Sequence, residues 1–519
     1  MLKSPIADLY RQSIKNKNKI FIVDEKIKVS YFNFHSQVLS VASFLKSIGI
    51  NKGDRVGVLM PKSYYQVLSQ LGIMASGAVM VPISDLLKKS QVQHIIDDCQ
   101  VSLVITIEEK IDTLGPNLKI LKLDSNDDNN LKGIINKKFT GVMPKINSND
   151  NAAIIYTSGS TGMPKGIILS HFNLWNGANI VSNYLSLQED DRVAQVLSLN
   201  FDYGLNQIFC TIHMGTQVYL TKFHFPKDIF DFIRLNKITN LALMPIFLNR
   251  LFDPNFFKPS FTDGIDSLRR ITTSGGRLSK QIIDIINSVF PNTDLYLMYG
   301  LTESFRSTYL SPDKVETHFN SIGKPIPSVE ISVLDENGNE CKPNEQGELV
   351  HRGGVIAKGY WNKPLKTKER FKVLKDSLGN PETVVFSGDI VRRDLDGYLY
   401  FIGRKDNMIK TSGHRVSPEE VERAVEKINN IDHAVVFSIE NDILGEEIVL
   451  ACVKKNHQNK PSVSDIKIFL RKTLAPYMVP NKIIFLDSFQ ITPGNQGKID
   501  RAIVKRKTLI ELKKDEIHN

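Results

Sequence analysis

The feature that most constrains the fold is a regular alternation between strand-like and helix-like segments over the first 150 residues. The short apolar strands lie at Arg55–Met60, Ala78–Ile83 and Ser102–Thr106. The segments with the apolar spacing of a helix lie between them, at Ser63–Ser76 and Val92–Cys99. The alternation resumes with a strand at Ala152–Tyr156 and continues to about Tyr299. This order is typical of parallel β-sheets covered by helices.

The pattern changes near residue 320. Glu330–Leu334 and Gly347–His351 are short strands on either side of a turn, and Asp394–Gly397 is a second turn between two longer apolar runs. Such strand–turn–strand segments favour an antiparallel sheet. After about residue 407 a further α/β unit begins, with a helix over Pro418–Lys427 that has Ser417 as its N-cap. The sequence therefore predicts an α/β fold with an antiparallel β part.

Composition excludes several classes of protein. The 519 residues carry a formal net charge of +10 and 41% of them are hydrophobic, which excludes a mainly disordered or fibrous chain. The positive charge is spread along the chain, so we expect no nucleic-acid partner. The four cysteines fit neither a disulfide framework nor a zinc site, and no apolar stretch is long enough to insert into a membrane. We therefore expect a cytoplasmic protein of enzyme size.

The strongest chemical signal is a loop rich in glycine, serine and threonine that follows the strand at Ala152–Tyr156. It reads Thr157-Ser158-Gly159-Ser160-Thr161-Gly162-Met-Pro-Lys165-Gly166. Glycines let backbone N–H groups turn toward an anion, while the hydroxyls and the lysine add donors, as phosphate binding requires. The loop is not a P-loop, because Lys165 is separated from Gly162 and is followed by glycine.

This loop closely resembles the phosphate loop of the AMP-forming adenylating superfamily, which includes acyl-CoA synthetases, adenylation domains of peptide synthetases and luciferases. The resemblance implies ATP and Mg²⁺ as cofactors and a small carboxylate as substrate. It implies an acyl-adenylate intermediate, and then a thioester with coenzyme A or with the pantetheine of a carrier protein. It also implies a large N-terminal domain of stacked α/β subdomains and a β-rich subdomain, residues 1–405, and a small mobile α+β C-terminal domain, residues 406–519.

The other expected segments follow in order along the chain. Ser274-Gly275-Gly276 resembles the glycine turn beside adenine, and Tyr299-Gly300-Leu-Thr302-Glu303 resembles the segment in which Tyr299 stacks on adenine, Thr302 contacts the α-phosphate and Glu303 holds Mg²⁺. Ser387-Gly-Asp389 resembles a Thr-Gly-Asp motif whose aspartate binds the ribose hydroxyls, with serine in place of threonine. Gly403-Arg404-Lys-Asp406 resembles the hinge, with Arg404 toward ribose or phosphate and Asp406 as the pivot.

The resemblance extends through the C-terminal part. Gly413 would allow close approach of a pantetheine arm, and Lys498 would be the adenylation lysine. The family usually has Pro-x-Gly-Lys here, whereas this chain has two more residues between Pro493 and the Gly-Lys pair. In finer detail the chain resembles exosortase A-associated AMP-forming acyl-CoA ligases, followed by stand-alone aminoacyl-carrier-protein ligases.

The expected acyl pocket contains charged residues. By the resemblance, its wall includes Asp202, Tyr203, Asn206 and Arg306. In amino-acid-activating relatives an aspartate at the position of Asp202 pairs with the substrate ammonium, which favours an amino-bearing substrate. Two alternatives stay open for Asp202: it pairs with Arg306, or it caps a helix. A separate role stays open for Arg306, which could bind a substrate carboxylate bidentately.

The sequence thus predicts an acid–thiol ligase. The alternatives are a coenzyme A ligase for an acid without an amino group, aminoacyl transfer to a carrier protein only, and a non-catalytic adenylate-binding protein. Glu303, Asp389 and Lys498 together argue against the last of these. The acid, the thiol acceptor and the oligomeric state stay open.

Overall fold

A computed structural model describes most of the chain. The described residues are 2–125, 129–137, 143–157, 164–253, 256–375, 378–405, 408–428, 430–454, 461–489, 499 and 501–518. They form two compact units. The larger unit takes in residues up to Asp85, then Val92–Thr157 and Lys165–Lys405, and the smaller is built mainly from the described residues after Lys405 together with Leu86–Gln91.

Strands and helices alternate through the first 300 residues. The strands are β1 (Ile20–Asp24), β2 (Ile27–Ser30), β3 (Arg55–Leu59), β4 (Val79–Ile83), β5 (Leu103–Thr106), β6 (Lys119–Lys122), β7 (Asn151–Thr157), β8 (Lys165–Ser170), β9 (Arg192–Gln195), β10 (Gln217–Leu220), β11 (Asn240–Leu243), β12 (Arg270–Thr273), β13 (Asp294–Leu301), β14 (Ser304–Leu310), β15 (Lys324–Pro325), β16 (Val329–Leu334), β17 (Gln346–Gly353), β18 (Phe371–Lys375), β19 (Pro381–Arg393), β20 (Leu399–Arg404), β21 (Ile409–Thr411), β22 (His414–Val416), β23 (Ile431–Asn441), β24 (Gly445–Lys454) and β25 (Lys482–Phe485). The α-helices are α1 (Pro5–Lys15), α2 (Tyr31–Ser47), α3 (Tyr64–Ala75), α4 (Lys89–Cys99), α5 (Leu131–Ile134), α6 (His171–Tyr184), α7 (Asp202–Met214), α8 (Pro226–Asn236), α9 (Pro245–Leu251), α10 (Lys280–Val289), α11 (Val315–His318), α12 (Pro364–Arg370), α13 (Pro418–Val425), α14 (Val463–Thr473) and α15 (Arg501–His518).

Two largely parallel sheets and one antiparallel sheet form the larger unit. One sheet has the order β15-β14-β13-β12-β11-β9-β10-β1-β2, and a second has the order β6-β5-β3-β4-β7-β8. Pairing is parallel from β13 through β10 to β1 and from β6 to β7, while β14, β15, β2 and β8 join antiparallel. The third sheet has the order β16-β17-β19-β18, with β20 beside β19, and is antiparallel throughout. The predicted α/β fold with an antiparallel part is confirmed.

The smaller unit contains a sheet in the order β22-β21-β24-β23, with β25 parallel to β24. Its core lies between this sheet and helices α13 and α14, which bury residues such as Val421, Ile466 and Leu470. Full burial of one such aliphatic side chain contributes about 1.5–3 kcal/mol. Within the described ranges, no helix is long and apolar enough to cross a membrane.

Serine residues begin several helices. The Ser63 hydroxyl accepts a hydrogen bond from the Gln66 amide at the start of α3, as the sequence predicts. The prediction for Ser417 is only partly right. This residue precedes α13, but its buried hydroxyl makes no capping hydrogen bond and has no hydrogen-bond partner among the described residues. The start of α13 instead has Pro418 at its first position, where a missing N–H costs nothing.

Two histidines that the sequence leaves without a chemical role are structural. His213 at the end of α7 contacts Asp8 through Nδ1 at 2.6 Å. His171 is buried at the start of α6, and this burial lowers its pKa to about 4, while nearby Asp150 opposes the shift and Lys52 adds to it.

The buried His171 gives a prediction about acid stability. Its pKa in the folded chain lies below that in the unfolded chain, so the unfolded chain takes up a proton first as the pH falls. The contribution to stability is therefore complete above about pH 6.5 and is lost toward pH 4. Between pH 7 and pH 5 the loss is about 2 kcal/mol.

We expect His171→Phe to make the free energy of unfolding less dependent on pH by that amount, as measured by urea unfolding at pH 7 and pH 5. The matched control is His433→Phe, because the His433 side chain is about half exposed. An equal pH dependence in wild type and His171→Phe would contradict the prediction.

Candidate active site

The two ends of the phosphate loop are adjacent strand residues. Thr157 ends β7 and lies opposite Lys165, the first residue of β8, in the antiparallel ladder. The Tyr156 hydroxyl donates to Asp98 at 2.6 Å, and Lys363 contacts the same carboxylate at 2.9 Å. The loop residues Ser158, Gly159, Ser160, Thr161 and Gly162 lie outside the described residues. The strand pair therefore anchors both ends of the loop, and the partly buried hydrogen bond of Tyr156 fixes the strand that leads into it.

Three strands bring together the residues that the resemblance assigns to the nucleoside. Tyr299 lies near the end of β13, Asp389 lies in β19, and Arg404 ends β20 directly opposite Asp389. The Tyr299 hydroxyl and the Arg404 guanidinium both donate to the Asp389 carboxylate. The Tyr299 ring lies nearly parallel to the buried His351 ring, with centroids 6.4 Å apart. A carboxylate oxygen accepts more than one hydrogen bond, so these contacts leave acceptor capacity for ribose hydroxyls.

The serine that replaces threonine at position 387 has a clear role. Its hydroxyl donates to the Leu349 carbonyl at 2.6 Å and accepts from the Asp389 amide at 3.0 Å. The next residue, Gly388, has a φ of +73°, and a Cβ at this position would lie 2.3 Å from the Arg370 guanidinium. This irregular part of β19 therefore needs a hydroxyl and a glycine, and serine supplies the hydroxyl as threonine would.

The glycine turn that the resemblance places beside adenine follows β12. Gly275 has a φ of +96°, which favours glycine, and a Cβ at Gly276 would lie 3.4 Å from Pro245. This turn leaves backbone groups accessible beside the end of the parallel sheet, where ligands of α/β proteins generally bind.

Glu303 is a buried carboxylate between β13 and β14. Its Oε1 accepts from the Tyr360 hydroxyl at 2.8 Å, and its carbonyl accepts from the Ala357 amide at 2.9 Å. Thr302 beside it is buried, and Gly300 packs so closely that a Cβ would lie 3.2 Å from Arg306 Cα. Glu303 is thus held in a fixed position with a hard oxygen donor, which is the ligand type that Mg²⁺ prefers.

The residues predicted for the acyl pocket lie together on α7 and β14. Asp202 is the first residue of α7, and its Oδ2 lies 3.9 Å from Arg306 Nη1. The Arg306 guanidinium lies over the Tyr203 ring at 4.8 Å, and the Tyr203 hydroxyl lies 2.7 Å from Thr272 Oγ1. Burial raises the pKa of Tyr203 well above its ordinary value, so this ring is neutral. Asn206, one helical turn after Asp202, is fully buried.

Asp202 forms no helix cap and only a long contact with Arg306. Asp202 begins α7 but makes no capping hydrogen bond, because the N-cap residue is Phe201. Its contact with Arg306 is at the outer limit of ion-pair distance. The Asp202 carboxylate can therefore still bind a second cationic group besides Arg306.

The resemblance assigns roles to three residues of the smaller unit, Gly413, Asp406 and Lys498. Gly413 and Ser412 form the two-residue turn between β21 and β22, with φ values of +77° and +51°. Such a turn requires positive φ at both central residues, which favours glycine at position 413. This requirement is separate from the predicted close approach of a pantetheine arm. Asp406 and Lys498 lie outside the described residues, but Arg501, three residues after Lys498, contacts Glu422 through both guanidinium nitrogens Nη1 and Nη2.

The sequence patterns missed two residues that shape the site, Tyr360 and His351. Tyr360 follows Gly359, whose φ of +123° marks a tight turn, and its contact with Glu303 joins segments 57 residues apart. His351 lies inside the predicted strand Gly347–His351, where alternation predicts burial but not its position behind Tyr299. A glycine-aromatic pair in an irregular segment is the only local signal for Tyr360.

Comparisons with known proteins identify the family of this chain. The model of the AMP-binding enzyme family matches residues 9–361, and that of the AMP-binding enzyme C-terminal domain matches residues 420–494. The chain belongs to the AMP-binding enzyme family. The resemblance found in the sequence motifs is confirmed.

One relative is a much longer protein. The chain is 29% identical over 509 residues to gramicidin S synthase 2 of Brevibacillus brevis, a match that covers 96% of this chain and 11% of that protein. The chain thus spans about a tenth of the length of this curated relative.

Solved structures share the fold. A double mutant of o-succinylbenzoate CoA synthetase from Bacillus subtilis has a TM-score of 0.84 at 20% identity, and the match covers 96% of this chain and 98% of that one. NpsA-ThdA, an artificially fused adenylation–PCP di-domain from Klebsiella oxytoca, has a TM-score of 0.82 at 20% identity, covering 94% of this chain and 95% of that one. At this identity the likeness shows the fold alone.

Proposed function

We propose that this protein activates a carboxylic acid with ATP and then transfers the acyl group to a thiol. The observation that carries the proposal is the Asp389 carboxylate, to which both Tyr299 and Arg404 donate, with the buried Glu303 four residues after Tyr299. These side chains come from separate strands, and the family membership gives the arrangement its chemical meaning.

The first half-reaction forms the acyl-adenylate. A carboxylate oxygen of the acid attacks the α-phosphorus of ATP, the bond to the bridging oxygen breaks, and pyrophosphate leaves. We assign Tyr299, Gly275 and Gly276 to adenine, Asp389 and Arg404 to ribose, and the loop from Thr157 to Lys165 to the phosphates. Thr302 would contact the α-phosphate and Lys498 would neutralise charge on the reacting oxygens.

Magnesium fits the donor set of the larger unit. Glu303 is a single fixed carboxylate, and the described part of the chain contains no group of three or more histidine, cysteine, aspartate or glutamate side chains that could hold a metal. Mg²⁺ at nucleotide sites takes one or two carboxylates, with phosphate oxygens and water as the other ligands. When bound, it would neutralise charge on the phosphates.

The second half-reaction forms a thioester. The thiol sulfur attacks the acyl carbon, the bond to the AMP oxygen breaks, and AMP leaves. The acceptor in this proposal is coenzyme A or the pantetheine of a carrier protein. Two solved structures of the same fold support this choice, since one is of a CoA synthetase and the other is of an adenylation–PCP di-domain. A cytoplasmic location is part of the proposal, since ATP and coenzyme A are available there.

The two domains have different proposed roles. We take residues 1–405 as the acid- and nucleotide-binding domain and residues 406–519 as the domain that supplies Lys498 to the first step and the Gly413 turn to the second. Asp406 is the proposed pivot between these two uses.

Pyrophosphate release tests the proposal directly. The purified protein with ATP and Mg²⁺ is assayed against a panel of amino acids, short fatty acids and dicarboxylates, and released pyrophosphate is measured. We expect release with at least one acid and none without acid. Binding of ATP without pyrophosphate release for any acid of the panel would instead support the non-catalytic alternative.

Asp202 is the basis for an amino-bearing substrate. If a substrate ammonium completes the charge pairing of this carboxylate, Asp202→Ala should weaken use of the amino acid by about 2–5 kcal/mol relative to its des-amino analogue. The measurement is the ratio of kcat/KM for the two acids in wild type and variant. The control is Asp228→Ala, since Asp228 lies exposed in the first turn of α8.

The contact with Arg306 defines the opposite outcome. If Arg306 is the functional partner of Asp202, removing the carboxylate leaves a buried guanidinium without its counter-charge. Use of all acids would then fall alike and the ratio would stay constant, which would return the protein to the class of ligases for acids without an amino group.

A further inference from the structure

Arg306 is a buried cation with an unused hydrogen-bonding edge. Its side chain is 3% exposed, and its Nη1 faces Asp202 at 3.9 Å. Its Nε and Nη2 have no hydrogen-bond partner among the described residues. These two nitrogens lie on the same edge of the guanidinium plane, where their N–H groups form the parallel fork that binds a carboxylate bidentately.

The backbone at Arg306 gives independent support for a ligand at this edge. Arg306 has a φ of +94°, a conformation that L-residues with a side chain rarely adopt. It lies in β14, where the pairing with β13 is irregular, and the backbone of Gly300 packs closely against the backbone of Arg306. Strain of this kind persists at ligand sites when the surrounding structure enforces it. In this conformation the Arg306 guanidinium lies over the Tyr203 ring.

A neighbouring residue adds polar groups that also lack partners. Asn206 is fully buried, and neither its Oδ1 nor its Nδ2 has a hydrogen-bond partner in the described part of the chain. Asn206 follows Asp202 by four residues, so the two side chains lie on the same face of α7. Buried polar groups are costly to leave unpaired, and two such side chains among the residues predicted for the acyl pocket indicate a polar ligand group.

We propose that the acid has a second carboxylate, which the Nε–Nη2 edge of Arg306 binds, so that the substrate is an acidic α-amino acid. The inference rests on the proposed function, from which the ammonium at Asp202 is taken. Charges then alternate through the pocket, from substrate carboxylate to Arg306, to Asp202 and to substrate ammonium. Each buried charge has an opposite charge beside it, which a monocarboxylate would not provide.

Matched pairs of amino acids test the second carboxylate. Pyrophosphate release is measured with L-aspartate, L-glutamate and L-2-aminoadipate, and with L-asparagine and L-glutamine, which have nearly the same shape without the charge. Aspartate is compared with asparagine, and glutamate with glutamine. In the pair with the more active acid, we expect kcat/KM for the acid to exceed that for its amide by about 10²-fold or more, because the amide leaves the guanidinium uncompensated. 2-Aminoadipate tests whether the pocket prefers a longer chain.

Substitutions at Arg306 assign the preference to this side chain. Arg306→Met should reduce the acid-to-amide ratio to within about threefold, whereas Arg306→Lys should keep part of it, since charge remains but the fork is lost. The matched control is Arg392→Met, which removes a partly exposed guanidinium that also lies over a tyrosine ring, 4.2 Å from the centroid of Tyr400. Stabilisation against thermal unfolding by the acid without ATP should be present in wild type and absent in Arg306→Met.

The outcomes separate this inference from the proposed function. Absence of pyrophosphate release with every acid overturns the proposed function. Release with the amides or with neutral amino acids as efficient as with the acids overturns the second carboxylate alone. If Arg306→Met does not fold, the wild-type ratio and Arg306→Lys decide the question.

Discussion

Replacing Glu303 with glutamine is expected to reduce acyl-adenylate formation by about 10²- to 10³-fold, the scale of losing one preorganised electrostatic group at a reacting centre. Glutamine has the same shape and its amide oxygen can still accept from the Tyr360 hydroxyl, so the fold should be retained. The lost negative charge weakens Mg²⁺ binding. The measurement is pyrophosphate exchange as a function of Mg²⁺ concentration, where the variant should need more metal for half its maximal rate.

Two controls isolate the role of the charge. Tyr360→Phe removes the hydrogen bond but keeps the carboxylate, so its effect should be much smaller than that of Glu303→Gln. Glu330→Gln changes an exposed glutamate in β16 and should have no effect. An unchanged Mg²⁺ dependence in Glu303→Gln would remove this residue from the metal site.

Lys498→Ala is expected to separate the two half-reactions. Its charge is proposed to stabilise the reacting oxygens in the first step only, so acyl-adenylate formation should fall by about 10²-fold or more. Thioester formation from supplied acyl-adenylate needs no attack on phosphorus and should continue at a similar rate. Both rates are measured on the full-length protein, by pyrophosphate exchange and by thioester product.

The neighbouring Arg501 offers a structural comparison for this variant. Arg501→Met breaks the two-nitrogen contact with Glu422 and thereby changes the anchorage of the segment that follows Lys498. It should lower adenylation less than Lys498→Ala, because the ammonium remains. Equal loss of both half-reactions in a folded Lys498→Ala would show that this residue is not specific to the first step.

Local patterns were sufficient for most elements of the fold. Short apolar runs predict β3, β4 and β5, and turn residues predict the antiparallel pairing of β16 with β17 and of β19 with β20. The partition of the strands between two sheets was not predictable in this way. Strands of both sheets have the same buried apolar character, and the partner of each depends on contacts distant in sequence, as in the pairing of β1 with β10.

The site shows the same division between local and long-range information. The glycines of the site motifs and the carboxylates Glu303 and Asp389 were predictable, because each lies in a short motif whose residue types indicate its chemistry. The hydrogen bond from Tyr360 to Glu303 and the position of His351 behind Tyr299 were not, since they join segments that only the folded chain brings together. Likewise, the sequence suggested a contact between Asp202 and Arg306 but not the unused edge of the guanidinium.

The unusual backbone of Arg306 has a consequence for how this protein can evolve. Glycine adopts a φ of +94° without penalty, and Arg306→Gly would also remove a buried cation. The backbone conformation of Arg306 therefore costs about 1–3 kcal/mol that a glycine at this position would not incur. If Arg306 selects the substrate as proposed, its presence means that selection for discrimination between acids has outweighed selection for stability. Descendants released from that demand should lose the strained arginine and discriminate less between acids.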